Sequence, residues 1–202
     1  MKPPSVTIFD YGAGNLHSLA KALGAAGAIV GIEADPLQAI RATDALVLPG
    51  VGAFGAAAER LAPGRRAMRQ ALADGLPCLG ICLGMQLLFD GSDEGEGRGL
   101  GVVAGRVTRL RADRVPQIGW NAVEWIADAP FAGAQPGIAY YANSFVCRPD
   151  APGSTIAWST HEDDRFAAAV HTSRTTGVQF HPEKSSRDGV NLLRAFVAGI
   201  GR

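Results

Sequence analysis

The chain has 202 residues, of which 47% are hydrophobic, and its 19 basic and 19 acidic side chains give a formal net charge of zero at pH 7. Neither sign of charge forms a run, which argues against a nucleic-acid-binding surface and against a polybasic membrane anchor. The length predicts a single domain over residues 1–202 with a substantial buried core.

The cysteine content and the N-terminus indicate a cytoplasmic protein. Cys78, Cys82 and Cys147 form an odd set without metal-site spacing, so we expect reduced thiols and neither a metal nor another cofactor. Residues 1–4 lead directly into a predicted strand, and no apolar run is long enough to cross a bilayer. A signal peptide or a membrane-spanning segment is therefore not expected.

The first half of the chain alternates short apolar runs with amphipathic segments. Ala45 to Leu48 is apolar throughout and stops at Pro49, as buried parallel strands do. Asn15 is a plausible N-cap for a helix that continues through Leu16 and Leu23. The predicted strands are 5–9, 28–32 and 45–48, and residues 75–79 are predicted to be a turn that leads into a short apolar strand. Further helices are predicted over 36–41, 56–61 and 65–73. This alternation predicts an α/β fold whose mixed, mostly parallel central sheet has helices on both faces.

The second half is richer in alternating patterns typical of antiparallel strands. After a glycine-rich, acidic loop over residues 90–101, strands are predicted over 101–110, 122–126, 138–141, 144–147, 155–159, 166–171 and 177–180. An amphipathic helix over residues 190–200 closes the chain. We interpret these strands as an antiparallel extension of the same sheet.

The segment from Gly80 to Gln86 has the layout of a nucleophile elbow, with a cysteine as its central residue. In such a tight turn the flanking glycines, Gly80 and Gly84, leave no room for a Cβ, and the central residue is strained and pushed clear of the sheet. A helix N-terminus also favours the thiolate of Cys82. The alternative is a buried structural cysteine.

A candidate base for this thiol follows the predicted strand 177–180. His181 and Glu183 are two residues apart, so in an extended segment their side chains point the same way. A carboxylate that orients an imidazole beside a thiol is the arrangement of a catalytic triad. Taken alone, the segment could equally be a surface His–Glu pair.

The loop Gly50 to Gly52 supplies a third candidate element. Thioester formation passes through an oxyanion, which needs N–H donors aimed at the developing charge. Leu83, the residue after the nucleophile, and the Gly50–Gly52 loop, including Val51 and Gly52, are the expected donors. The loop and Cys82 both follow predicted parallel strands, where functional loops gather. An ordinary strand-to-helix turn is the alternative.

Together, Pro49 to Gly52, Gly80 to Gln86 and His181 to Glu183 resemble the three signatures of the class I, triad-type glutamine amidotransferases. Further stretches are similar to the glutaminase subunits of imidazole glycerol phosphate synthase in histidine biosynthesis: Asp10 to Asn15, Gly50 to Gly55, Pro116 to Asn121 and His181 to Ser186. This resemblance implies the class I glutamine amidotransferase fold for the chain.

The resemblance also implies a reaction in which Cys82 attacks the side-chain amide of glutamine, His181 protonates the departing ammonia, and Glu183 orients the imidazole. Glutamine-binding positions implied by the family are Gly52, Gln86, Glu96, Asn143, Ser144 and Phe145. The sequence departs from the family at two of these positions, because Asn143 stands where histidine is usual and Phe145 where tyrosine is common.

A partner is implied as well, since ammonia released into neutral water would be mostly protonated. The family pairs the glutaminase with a separate (β/α)₈-barrel cyclase in a heterodimer, and the products are imidazole glycerol phosphate and aminoimidazole carboxamide ribotide. The residues implied at this interface are Tyr11, Asn15, Trp120, Asn121, Tyr140 and Lys184. Because Val51 lies between two glycines, we hypothesise that its flanking peptides rotate to complete the oxyanion site only when the partner docks.

Three alternatives stay open. One is a class I amidotransferase of another pathway, such as purine, folate or pyridoxal synthesis. Another is a cysteine peptidase or chaperone-like hydrolase of related fold. The third is a non-catalytic scaffold or glutamine-sensing subunit, against which the presence of Cys82, His181 and Glu183 together argues.

Overall fold

The computed structural model describes residues 2–12, 16–126, 129–131 and 133–201. Asn15, predicted as an N-cap and as an interface residue, lies outside these ranges. The first half of the chain forms β1 (Ser5–Phe9), α1 (Leu16–Ala25), β2 (Ile29–Glu33), β3 (Ala45–Leu48), α2 (Phe54–Leu61), α3 (Arg65–Ala73), β4 (Cys78–Ile81) and α4 (Leu83–Gln86).

The second half is mainly strands and ends in a helix. Its elements are β5 (Gly91–Ser92), β6 (Gly105–Arg109), β7 (Gln117–Ala122), β8 (Glu124–Trp125), β9 (Ile138–Asn143), β10 (Phe145–Pro149), β11 (Thr155–His161), β12 (Asp164–Thr172), β13 (Thr175–Val178) and α5 (Ser186–Gly199). Short 3₁₀ helices occupy Pro152–Ser154 and Pro182–Lys184.

The largest sheet has the strand order β2-β1-β3-β4-β13-β12-β11-β8. Strands β2, β1, β3, β4 and β13 pair in parallel, and β12, β11 and β8 continue the sheet in antiparallel fashion. The predicted fold class, a mostly parallel central sheet with an antiparallel extension, is confirmed.

Two parts of the second half depart from the predicted continuous extension. Strands β10, β6 and β5 form one small sheet, and β7 pairs with β9 in another. The predicted strand 122–126 is divided, because residue 122 ends β7 and β8 begins at Glu124. These separate sheets could not be inferred from alternation, which specifies the faces of a strand but not its neighbours.

The helix predicted over residues 36–41 was wrong. The segment forms hydrogen-bonded turns, in which the carboxylate of Asp35 accepts hydrogen bonds from the backbone N–H groups of Leu37 and Gln38. This local bonding is the usual way in which aspartate favours turns over helix.

Helices cover the central sheet on both faces. One hydrophobic cluster contains Leu23 of α1 and Leu192 of α5, and the other contains Phe54 of α2 and Met68 of α3. The side chains of β3 alternate between these two clusters, which explains why its sequence is apolar at every position. Among the helices of the described ranges, none combines the length and apolar character needed to span a membrane.

Candidate active site

Cys82 lies at a sharp turn between β4 and α4. Its backbone angles are φ 47° and ψ −104°, and its flanking glycines are closely packed. A Cβ on Gly80 would lie 2.6 Å from the carbonyl oxygen of Gly84, and a Cβ on Gly84 would overlap the carbonyl oxygen of Leu48. A positive φ is unfavourable for a residue other than glycine, so the turn holds Cys82 in a strained conformation. This is the geometry predicted for the elbow.

His181 reaches the same end of the sheet from β13. Its backbone N–H donates to the carbonyl of Tyr140 at 2.8 Å, and its side chain is only 1% exposed. The ring lies close enough to Cys82 for the thiol to act on the pKa of the imidazole, and its Nδ1 lies 2.8 Å from Oε1 of Glu183. Glu183 is in a 3₁₀ helix rather than in the extended segment used to predict the pair.

The surroundings of His181 stabilise its protonated form. Burial lowers the pKa of the imidazole, but the hydrogen bonds and negative charges of Cys82 and Glu183 outweigh this effect and raise the pKa to about 9. Burial raises the pKa of the other two thiols, Cys78 and Cys147, which keeps them neutral. A charged imidazole is thus held beside one of the three cysteines, the one at the elbow.

A cavity of about 250 Å³ opens beside the sulfur. Most of the predicted oxyanion and glutamine-binding residues line it: Val51, Gly52, Leu83, Gln86, Asn143, Ser144 and Phe145. Gly52 has φ +125°, a conformation that glycine adopts more easily than other residues. The structure thus brings these residues together with Cys82.

Glu96 is the exception among the predicted binding residues. It lines a separate surface depression against α2, together with Ala58 and Arg98, whereas Glu94 lines the cavity of Cys82. The carboxylate of Glu94 accepts a hydrogen bond of 2.9 Å from the backbone N–H of Phe54, at the start of α2. Because acidic residues two apart in an irregular loop cannot be told apart by spacing, Glu94 could not be chosen over Glu96 from the sequence.

One of the two departures from the family pattern, Asn143, has a local role in the structure. Asn143 is buried, and its side-chain amide donates to the carbonyl of Phe145 at 3.1 Å, across the turn that joins β9 to β10. The same carbonyl accepts a bond of 3.2 Å from the side-chain amide of Gln86. Asn143 therefore shapes the cavity wall through its contact with the backbone.

The predicted interface residues fall into two groups. The ring of Tyr140 packs edge-on against Trp120, with centroids 6.1 Å apart, and the amine of Lys184 lies 5.9 Å from the Tyr140 ring centre. Tyr11 and Asn121 point inward instead. Tyr11 is buried, and Asn121 donates its side-chain amide to the carbonyl of Thr160.

The outer face of the β7–β9 sheet is apolar at every position. Trp120 pairs with Tyr140, and the two neighbouring pairs on this face are Ile118 with Ala142 and Ala122 with Ile138. Ile118, Trp120 and Ile138 are 67%, 56% and 59% exposed. We call these six residues the apolar β7–β9 face. Contiguous exposed apolar surfaces are typical of interaction sites.

Comparisons with known proteins agree with this geometry. The sequence model of the class I glutamine amidotransferases matches residues 7–200. Three relatives, each named imidazole glycerol phosphate synthase subunit HisH, are 41% identical in Synechococcus elongatus, 42% in Halobacterium salinarum and 43% in Thermococcus kodakarensis. The alignments cover 98%, 96% and 95% of this chain and 94%, 92% and 98% of the relatives.

Solved structures with lower identity share the fold. One described as a glutamine amidotransferase superimposes with a TM-score of 0.77 at 20% identity, covering 98% of this chain and 99% of the other. PurLQS from Thermotoga maritima superimposes with a TM-score of 0.72 at 19% identity, with 98% and 99% coverage.

Proposed function

Because the chain belongs to the class I glutamine amidotransferases, we propose that it is the glutaminase subunit of an imidazole glycerol phosphate synthase, which acts in histidine biosynthesis. It hydrolyses glutamine to glutamate and ammonia and passes the ammonia to a synthase subunit. The observation that carries the proposal is the buried imidazole of His181, which lies between Cys82 and the carboxylate of Glu183, next to the cavity that Cys82 lines.

The first half of the reaction forms a thioester. The thiolate of Cys82 attacks the side-chain amide carbon of glutamine, and the carbonyl oxygen takes up the negative charge. When the C–N bond breaks, the imidazolium of His181 gives its proton to the leaving nitrogen, so that neutral ammonia departs. Glu183 holds the ring by its Nδ1–H and stabilises its positive charge.

The second half releases glutamate. The neutral imidazole left by the first half removes a proton from a water molecule as that water attacks the thioester carbon. The C–S bond then breaks, and the thiolate and the imidazolium are restored. The backbone N–H of Leu83 and the Gly50–Gly52 loop stabilise the oxyanion in both halves, since both border the cavity beside the sulfur.

The remaining cavity walls suit the ends of a free amino acid. Glu94 places a carboxylate at the cavity, which can pair with the ammonium group of glutamine. The turn Asn143 to Phe145 lies on the cavity wall and offers backbone groups to the rest of the substrate. We assign Glu94 this role in place of Glu96.

A pH profile tests the role of His181. Because the pKa of His181 is raised to about 9, the imidazolium is present below that pH and is lost above it. We expect kcat/KM for glutamine, measured at saturating partner, to fall about tenfold for each pH unit above 9 as the proton donor disappears. Alkylation of Cys82 by iodoacetamide needs no proton donor, so its rate should not fall above pH 9. A parallel decline of both rates would contradict the assignment.

The partner that best fits is a separate cyclase subunit of (β/α)₈-barrel architecture, docked on the apolar β7–β9 face. Lys184 and Tyr140 connect this face to the triad, because Lys184 follows Glu183 and the Tyr140 carbonyl binds the N–H of His181. A subunit bound to this face would shield the departing ammonia from bulk water.

Glutamine hydrolysis by the chain alone and with a co-expressed cyclase tests the proposed function directly. We expect glutamine-dependent synthesis by the pair, and a rise in hydrolysis when the cyclase and its ligand are added, as the hypothesis on Val51 requires. Covalent labelling of Cys82 by a thiol-reactive glutamine analogue should accompany this activity. Absence of both labelling and hydrolysis in the assembled pair would support the scaffold alternative.

Trp120→Asp tests the docking surface. A charge at the centre of an apolar interface removes the contact and must be desolvated, so we expect Kd for the cyclase to rise at least about 30-fold. Ile32→Asp is a matched control, since Ile32 is 50% exposed but lies on β2 at the far edge of the sheet. Isothermal titration calorimetry measures both. Equal affinities for the two variants would place the interface elsewhere.

A further inference from the structure

A chain of buried amides leads away from the sulfur of Cys82. The side-chain nitrogen of Gln179 lies 3.5 Å from Cys82 Sγ, and its side-chain oxygen lies 3.5 Å from the amide nitrogen of Gln86. The Gln86 nitrogen also donates to the carbonyl of Phe145. Gln179 is fully buried, whereas a glutamine usually lies at the surface.

Backbone geometry aims Gln179 at the sulfur. The N–H of Gln179 donates to the carbonyl of Ala168 at 2.8 Å, which continues the pairing of β13 with β12 by one residue. Gln179 and Phe180 form a bend directly after β13, from which the side chain of Gln179 reaches Cys82 while Phe180 packs in the hydrophobic core. The same strand end therefore presents both an amide and an imidazole to Cys82.

The hydrogen bonds among these buried amides determine the orientation of the Gln179 side-chain amide. The backbone carbonyl of Phe145 can only accept a hydrogen bond, so it is the nitrogen of Gln86 that faces it, and this same nitrogen lies against Gln179. The oxygen of Gln179 must then face Gln86, which turns its N–H groups toward the sulfur. An N–H group bonded to a thiolate is a charge-assisted hydrogen bond, which is stronger than one to a neutral thiol.

We propose that Gln179 is a second hydrogen-bond donor to the Cys82 thiolate, which stabilises the charged sulfur and holds it in line with the cavity. The inference rests on the proposed function in that it takes Cys82 as the nucleophile. Burial makes a charged sulfur unfavourable unless it is hydrogen-bonded, and Cys82 is only 6% exposed. His181 supplies one such contact, and Gln179 supplies another.

The test is the pH dependence of Cys82 alkylation in the assembled complex, with iodoacetamide as the probe. Gln179→Leu removes the donor at similar size, and Gln179→Glu replaces it with a carboxylate oxygen. We expect Gln179→Leu to move the pH of half-maximal alkylation upward by about one unit, so that the rate at neutral pH falls about tenfold. Gln179→Glu should move it further, and both variants should reach the wild-type rate at high pH.

Two controls separate this role from a structural one. Gln117→Leu removes another buried glutamine, in β7, and should leave the pH dependence of alkylation unchanged. A glutamine of structural importance alone would lower the alkylation rate at every pH without moving the midpoint, and this result in either Gln179 variant would overturn the proposal. Should Gln179→Leu fail to fold, the near-isosteric Gln179→Glu decides.

Glutamine turnover by the wild-type complex is measured alongside. If the wild-type complex does not turn over glutamine but the Gln179 variants shift the alkylation midpoint as expected, the proposed function is rejected and the role of Gln179 stands. If the wild-type complex turns over glutamine but the variants do not shift the midpoint, the proposed function stands and the role of Gln179 is rejected.

Discussion

Cys82→Ala should abolish glutamine-dependent synthesis by the complex and leave ammonia-dependent synthesis within about twofold of wild type. Removing a nucleophile from a triad costs at least about 10⁴-fold, since no other group can form the covalent intermediate. The cyclase reaction needs only ammonia, which an ammonium salt at mildly alkaline pH supplies without the glutaminase. The two rates are measured on the same purified complex with glutamine or ammonium as nitrogen donor.

Cys78→Ala is the matched control for this experiment. Cys78 begins the same strand, β4, is fully buried, and has a thiol whose pKa burial raises. Its replacement should leave glutamine-dependent turnover unchanged apart from a small loss of stability. If Cys82→Ala lost ammonia-dependent synthesis too, the cysteine would be a structural residue of the interface or fold.

The central sheet and the elbow could be predicted because local sequence determines them. An apolar run at every position of β3 indicates burial on both faces, and the glycines around Cys82 indicate a turn in which no Cβ fits. The pairing of His181 with Glu183 was expected from strand geometry and arises instead in a 3₁₀ helix. The pairing is found because His181 precedes this helix with extended backbone angles, φ −101° and ψ 95°, and the carboxylate of Glu183 reaches its ring.

Features that depend on distant contacts could not be predicted in the same way. The position of Glu94 at the cavity results from its bond to the start of α2, forty residues earlier in the chain. Tyr11 was expected at an interface but is buried, because its ring packs edge-on against Phe9. Gln179 reaches Cys82 from a bend after β13, a geometry that the spacing of residues in the sequence does not specify.

Gly84→Ala should destabilise the protein by more than about 3 kcal/mol, because the new methyl would overlap the backbone carbonyl of Leu48. Neither backbone can move freely, since Leu48 ends a central strand and Gly84 lies in the turn that positions Cys82. Urea unfolding followed by circular dichroism measures the free energy of unfolding. Any folded fraction should also be alkylated more slowly at Cys82, since relief of the overlap displaces the elbow.

Gly24→Ala is the control for adding a methyl group elsewhere. Gly24 lies in α1, and a Cβ there meets no atom within 4 Å. Because alanine restricts the unfolded chain and favours helix, this variant should gain about 0.4–1 kcal/mol. The change in the free energy of unfolding is therefore expected to have opposite signs at the two glycines, because a Cβ meets backbone atoms at Gly84 and open space at Gly24. Equal stability of Gly84→Ala and wild type would mean that the elbow tolerates a Cβ, and the strain assigned to Cys82 would then have no steric basis.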